Sequence, residues 1–328
     1  MKKSAVVFAC SLLFFPLTRT DVLFSQPSVR CIALLTDLRG EVFVRAGREI
    51  DFKKAQWGTQ LAIGDVVKTS VDGSASILLS DNNLISLGPG SSITISENPG
   101  VAQGKSKAIR GVNTKDAVDL SGLTLRSTSE GEVVALAGLR GWKPEISLVQ
   151  VSPRNSGIRS TTPTFRWRGN VPADRFKVTV YDRQGRVWTA DTKQTNLEYP
   201  KTEKPLTEGE KYFWQVEGIG RVESYKSPSM GFNVLSKNDL ALVEDRERRL
   251  QRSFSDDSSA TSYQLLIGTL YQRVGLLEEA VAQFEAIAER YPEAPAAHEV
   301  LGKLYSDLGF NDKSIAALQK ALKLSQGK

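Results

Sequence analysis

The side chains able to do covalent or metal chemistry are few. The chain has one histidine, His298, and two cysteines, Cys10 and Cys31. A Cys/His nucleophile needs a thiolate beside its base, and a zinc site of nitrogen and sulfur ligands needs several histidines or cysteines together. Cys10 lies in a segment expected to be removed, so neither constellation can be assembled. No G-x-S-x-G elbow and no G-x-x-x-x-G-K-[ST] phosphate loop occurs. Asp65, Asp72 and Asp81 offer oxygen ligands but lack the alternating D-x-D-x-D-G pattern that calcium loops use, and are expected to be turn formers. Carboxylates are plentiful, yet no pair is singled out for acid/base work. The expectation is a protein that is not an enzyme and carries no cofactor or metal.

Composition leaves the same opening. With 328 residues and 40% hydrophobic content, the chain is long enough for two or three globular domains. Met1-Lys2-Lys3 ahead of the apolar stretch Ala5 to Leu17 has the charged start and short apolar core of a secretory signal. Residues 1–25 are read as that signal, with a mature start near Gln26 and a destination in the periplasm or cell envelope. Arg30 stands where a lipid-acceptor signal ending at Cys31 would want a small residue. No later stretch approaches a membrane span, so no stable transmembrane segment is expected in the mature chain. The net charge is +6, and the densest basic stretch, Lys105, Lys107, Arg110 and Lys115, has no interleaved aromatic for base stacking. Nucleic acid is not an expected partner.

The strongest signal is a repeat. Gly268, Tyr271 and Gly275 recur 34 residues later as Gly302, Tyr305 and Gly309, with Leu270/Leu304 and Val274/Leu308 between them. Ala280 and Phe284 occupy a following helix, and Pro292 and Pro295 punctuate the units. This pattern resembles the tetratricopeptide repeat, two packed helices per unit, over about residues 261–294 and 295–328. Ser314 stands where a small alanine is usual, and Leu318 where an aromatic is usual. The resemblance implies that first helices line a concave face that binds protein segments. It presents Thr269, Gln272, Arg273, Glu299, Lys303 and Asp307 as the candidate protein-binding groove. The same spacing of Glu299, Lys303 and Asp307 also suits simple ion pairing along one helix.

Residues 32–142 have the short period of strands, with Ile77/Leu79, Ile85/Leu87 and Ile93/Ile95 recurring every eight residues between turns. Three successive strands, as a meander or as short solenoid coils, would share one apolar stripe. Arg39-Gly40-Glu41-Val42, Leu61-x-x-Gly64-Asp65, Asp72-Gly73-x-Ala75, Leu84-x-Ser86-Leu87-x-Pro89 and Ala137-Gly138-Leu139-Arg140-Gly141 together resemble the FecR-type periplasmic domain. That resemblance implies an all-β envelope domain. The membrane helix and anti-sigma segment of its namesake have no counterpart here, so sigma-factor control is not carried over.

Residues 148–235 hold longer alternating strands rich in aromatics, which argues for a β-sandwich. Trp167, the Leu206/Tyr212 pair and Trp214 resemble a fibronectin type III-like module. Trp167, Trp188 and Trp214 can stack on sugars, but aromatics alternating in a sandwich are usually core.

Ser236 to Asp239 reads as a helix entry opening onto Leu240, Val243, Leu250 and Phe254, and Glu244 to Arg252 as a solvated charged face. Two repeats cannot bury their own apolar faces, so the helix over 239–254 is expected to cap them within 236–328, with self-association as a homo-oligomer the other route. The fold class is multidomain β plus α. The function expected is an exported adaptor holding an envelope protein or peptide segment, with the β modules as spacer or second grip. Direct attachment to peptidoglycan, or service as a signal-transduction input module, are the alternatives.

Overall fold

A computed structural model describes residues 32–80, 83–96, 102–103, 106–111, 147–254 and 261–326, with backbone alone between 102 and 111. The expected signal, both cysteines, Asp81, the basic-stretch side chains and the 137–141 motif lie outside the described residues. The described residues belong to one compact unit.

Ten strands come first among them: β1 (Ala33–Arg39), β2 (Val42–Arg45), β3 (Lys53–Lys54), β4 (Gln60–Leu61), β5 (Val66–Thr69), β6 (Ser74–Leu79), β7 (Asn83–Leu87), β8 (Ser92–Thr94), β9 (Ala102–Gln103) and β10 (Ser106–Gly111). They form two five-stranded sheets, ordered β10-β7-β6-β1-β4 and β3-β2-β5-β8-β9. The eight-residue rhythm therefore does not keep three strands side by side. β6 and β7 pair as a hairpin, whereas β8 crosses to the second sheet and pairs with β5. The Gly88-Pro89-Gly90 turn ends the first ladder, since proline has no N–H to continue it. Ile93 and Ile95 still reach the same core as Leu35, Ile77, Ile85 and Leu87.

β1, β6 and β7 also break strict alternation. Ala33-Leu34-Leu35, Ile77-Leu78-Leu79 and Leu84-Ile85 are continuous apolar runs, the pattern of a sheet buried on both faces. Leu34 lies opposite Leu78, and Leu78 opposite Leu84, making a leucine row across the three strands. That row packs in the core of the helices, not between the sheets.

Nine strands follow: β11 (Leu148–Ser152), β12 (Ser156–Ile158), β13 (Thr164–Gly169), β14 (Arg175–Tyr181), β15 (Arg186–Thr192), β16 (Asn196–Glu198), β17 (Lys211–Ile219), β18 (Ser224–Lys226) and β19 (Met230–Val234). One sheet runs β11-β13-β16 and the other β12-β19-β17-β14-β15, with β18 on β17. Their inward side chains share one aromatic core. Phe165 sits 5.0 Å from Trp214 and Trp188 sits 4.9 Å from Tyr199, centroid to centroid. The Trp214 indole donates to Pro153 O at 2.8 Å. Trp167, Trp188 and Trp214 are all buried, so none offers a ring face to a sugar.

Five helices complete the described chain: α1 (Lys237–Ser253), α2 (Thr261–Val274), α3 (Leu277–Arg290), α4 (Pro295–Asp307) and α5 (Asn311–Gln326). Ser236 caps α1, its hydroxyl accepting from Asp239 N at 3.1 Å. Leu250 and Phe254, at the far end of α1, pack into the helical core, while Val243 meets Leu235 and Leu276. The architecture is multidomain β plus α.

Candidate protein-binding groove

Close helix packing starts from two glycines. A methyl added at Gly268 in α2 would lie 3.0 Å from Phe284 of α3, and one at Gly302 in α4 would lie 2.5 Å from two carbons of Leu318 in α5. Leucine thus fills in the second pair the place that phenylalanine fills in the first. Gly275 and Gly309 have φ of +80° and +76°, the left-handed geometry that ends a helix and turns the chain into the next. Ala280 and Ser314 occupy equivalent buried positions, and the Ser314 hydroxyl has no hydrogen-bond partner. Leaving a buried hydroxyl unsatisfied costs about 1–3 kcal/mol. Ser314→Ala is therefore expected to stabilise the protein by about 1 kcal/mol; an unchanged or lower urea midpoint would refute it.

The six candidate groove residues divide. Arg273 and Asp307 are exposed, and Gln272 and Lys303 half-buried. Partial desolvation raises the Asp307 pKa. Thr269 and Glu299 are buried. The Thr269 hydroxyl donates to Leu265 O at 2.7 Å, inside its own helix, and Glu299 accepts from Lys303 Nζ at 2.9 Å. Those two side chains are committed to the helices and do not present themselves to a ligand. Leu265 through Leu270 are all buried, which encloses the middle of α2, because neighbours cover it beyond its partner helix, while its last turn stays accessible at Gln272 and Arg273. His298 is buried as well; its ring nitrogen Nε2 lies 2.8 Å from Pro292 O, and burial lowers its pKa.

The neighbours include both β bodies, and the second of them supplies caps that the helices lack. The N-cap position of α3, Leu276, has no side chain able to accept. Ser156 of β12 does so instead, its hydroxyl accepting from Leu277 N at 2.9 Å and lying 3.4 Å from Glu278 N. Glu278 reaches back, accepting from Ser152 Oγ at 2.6 Å and Arg154 N at 3.0 Å. This is the reciprocal logic of a capping box, split between a strand and a helix distant in sequence. Arg154 does the converse at a helix C-terminus. Its guanidinium donates to Leu308 O at 2.6 Å and Gly309 O at 2.8 Å, and lies 4.6 Å from the Phe310 ring centroid. Cations are favoured there by the helix dipole. Arg159 binds Glu247 of α1 through both carboxylate oxygens and lies over Tyr271 of α2. Glu247 was expected on a solvated face; the pairing draws it inward, while Asp245–Arg249 stays on the surface.

The other end of the first helical pair rests on β1. Thr36 O accepts from Thr261 Oγ1 at 2.5 Å and from the Trp57 indole at 3.0 Å, and Thr36 Oγ1 meets Ser262 Oγ at 2.8 Å. Tyr291, at the end of α3, donates to Asp37 at 2.9 Å and accepts from Leu38 N at 3.1 Å; Arg290 also reaches Asp37. Desolvation raises the Tyr291 pKa. These contacts were not read from the sequence. The usable signal was the loss of alternation at Leu34, Leu78 and Leu84, which asks for a second apolar neighbour.

Burial raises the Glu278 pKa above its ordinary 4.5 despite the bonds from Ser152 and Arg154. At pH values between the ordinary pKa and the raised one, the folded state binds more of this proton than the unfolded chain does. Its contribution to stability grows as pH falls through the folded pKa and is lost as pH rises through it. Glu278→Gln should remove that dependence in the window that opens above the ordinary 4.5, leaving a pH-independent offset of about 1 kcal/mol. Paired urea titrations with parallel pH profiles would show the assignment to be mistaken.

A comparison with curated proteins returned no match. Among solved structures, a multi-domain immunophilin from Arabidopsis thaliana aligns at 12% identity and a TM-score of 0.22, over 55% of this chain and 94% of that one. So low a similarity carries no argument. A family model does match the last helical pair: residues 295–328 are found as a tetratricopeptide repeat, the unit formed by α4 and α5.

Proposed function

We propose that this chain is a non-enzymatic scaffold, exported to the cell envelope, that holds a protein segment on its helical repeat while the β bodies fix the orientation of that repeat. The observation that carries the reading is the α4–α5 pair, closed by Gly302 on Leu318 and matched as a tetratricopeptide repeat, a unit whose known work is protein binding. Its first helix exposes Asp307 and half-exposes Lys303, and α2 exposes Arg273 and half-exposes Gln272. Capping of α3 and α4 by Ser156 and Arg154 holds these helices against the β framework, so little ordering entropy remains to be lost when a partner binds. Export rests on the leader-like start, Met1 to Leu17, and the envelope setting on the FecR-like motifs between Arg39 and Pro89. The fibronectin type III-like pattern around Trp167 and Trp214 supports the role of the second β body as a spacer.

Photo-crosslinking from position 303 in living cells tests this. One discrete protein adduct in the envelope fraction is expected, and Arg273→Glu with Lys303→Glu should abolish its capture from a crosslinker moved to Gln272. An adduct indifferent to those charges, or a protein retained in the cytoplasm, would overturn it. Sedimentation with purified peptidoglycan that ignores the repeat would favour wall attachment.

A further inference from the structure

We propose that the loop tip of the first β body, residues 45–54 with 62–65, is a docking point for an anionic lipid surface. Two loops meet at this end of the β3-β2-β5 sheet. The Asp65 carboxylate joins them, one oxygen accepting from Gly47 N and the other from Ala62 N, both at 2.9 Å. Gly47 and Gly64 approach so closely that a methyl at Gly47 would lie 3.1 Å from the Gly64 carbonyl. The tip is thus braced, and yet it projects apolar side chains into solvent. Ile50 is 90% exposed, Ile63 53% and Phe52 43%. Of seven large hydrophobic residues exposed among the described residues, three are gathered here.

The charges around them point to the occupant. Residues 45–54 with 62–65 carry Arg45, Arg48, Lys53 and Lys54 against Glu49, Asp51 and Asp65, the last tied to two loop amides, which leaves a small cationic excess beside the apolar group. Lys53 pairs with Glu49 at 3.0 Å and Lys54 approaches Glu41 at 3.4 Å, both on the exposed surface where such pairs are weak and exchangeable. Arg45 lies 5.6 Å from the Phe52 ring centroid. A stable protein partner needs roughly 800 Å² from each side. Three exposed apolar side chains fall well short of that. A fluid bilayer interface needs no complementary shape; it accepts a few apolar groups and attracts the cations around them. The inference is independent of the helical repeat.

Amide hydrogen exchange on the full chain, mixed with vesicles of phosphatidylcholine alone or with an equal part of phosphatidylglycerol, resolves the tip from any other membrane contact. Protection over 46–52 and 62–65 is expected only with the anionic vesicles. In the Ile50→Ser, Phe52→Ser, Ile63→Ser variant the lipid needed for half-protection should rise at least about tenfold, with an unchanged melting curve because these side chains are exposed. Arg48→Glu with Lys53→Glu should have a similar effect at low salt. A tip that gains no protection, or keeps it in the serine variant, overturns the proposal. So does tip protection that rises with protein concentration in the absence of lipid, which would assign the surface to a second copy of the chain.

Discussion

Replacing Gly302 with alanine is expected to cost about 2–3 kcal/mol of folding stability, the range for forcing a methyl into a filled core. The new carbon would lie 2.5 Å from both Cγ and Cδ2 of Leu318, well inside van der Waals contact, and Leu318 is 1% exposed, so any shift it makes is taken within the core. Alanine also favours the helix by about 1 kcal/mol over glycine, so the observed loss is what remains after that gain. Gly268→Ala should cost less, because its nearest neighbours on α3 stand at 3.0 Å, contacts that a small shift can relieve. The decisive measurement is a double-mutant cycle. Leu318→Ala alone should lose about 2–5 kcal/mol as a cavity mutation, yet combined with Gly302→Ala it should lose less than the two single effects added. Strict additivity would mean that the glycine is not there to admit the leucine.

That pairing shows which parts of the molecule were legible in sequence. The 34-residue spacing of Gly268 and Gly302 located the helix crossings, because a residue without a side chain at a fixed period has few other uses. Leu240, Val243, Leu250 and Phe254 announced the apolar side of α1 by their helical spacing; the last three are buried and Leu240 is half-buried. Alternation placed Phe165, Trp167, Val178 and Val180 in a core between sheets. Periodicity failed wherever a side chain serves a distant element. Nothing local marks Ser156 as the cap of a helix 121 residues away, or Arg154 as the partner of carbonyls at Leu308 and Gly309. Among the groove candidates, repeat position selected the helix but not the exposure. The resemblance to the repeat implied that Thr269 and Glu299 face a ligand, but both are buried and bonded within their own helices.

The largest expected effect outside the helices belongs to Trp57. Trp57→Ala should destabilise the protein by about 3–5 kcal/mol, as for other buried aromatics cut to alanine. Its ring is 2% exposed and packs 6.4 Å from Tyr291 in a stacked arrangement, within the same core as Leu34, Leu78 and the helices. Its indole N–H donates to the carbonyl of Thr36, the acceptor that Thr261 also uses at the start of α2. Removing the ring therefore opens the contact between the leucine row and α2 from one side while loosening Tyr291 and its bond to Asp37 from the other. Trp57→Phe separates the two contributions: it keeps most of the apolar surface and forfeits the hydrogen bond, for about 1–2 kcal/mol. Helical circular dichroism and proteolysis within α2 and α3 report the outcome during urea titration. In the alanine variant both helices should become cleavable at lower urea than the sandwich of β11 to β19. The helical pair would then be borrowing its stability from the first β body, as expected for too few repeats to close their own core. Simultaneous loss of all regions at the wild-type midpoint would instead show that α1, with Leu250 and Phe254, is a sufficient cap without Trp57.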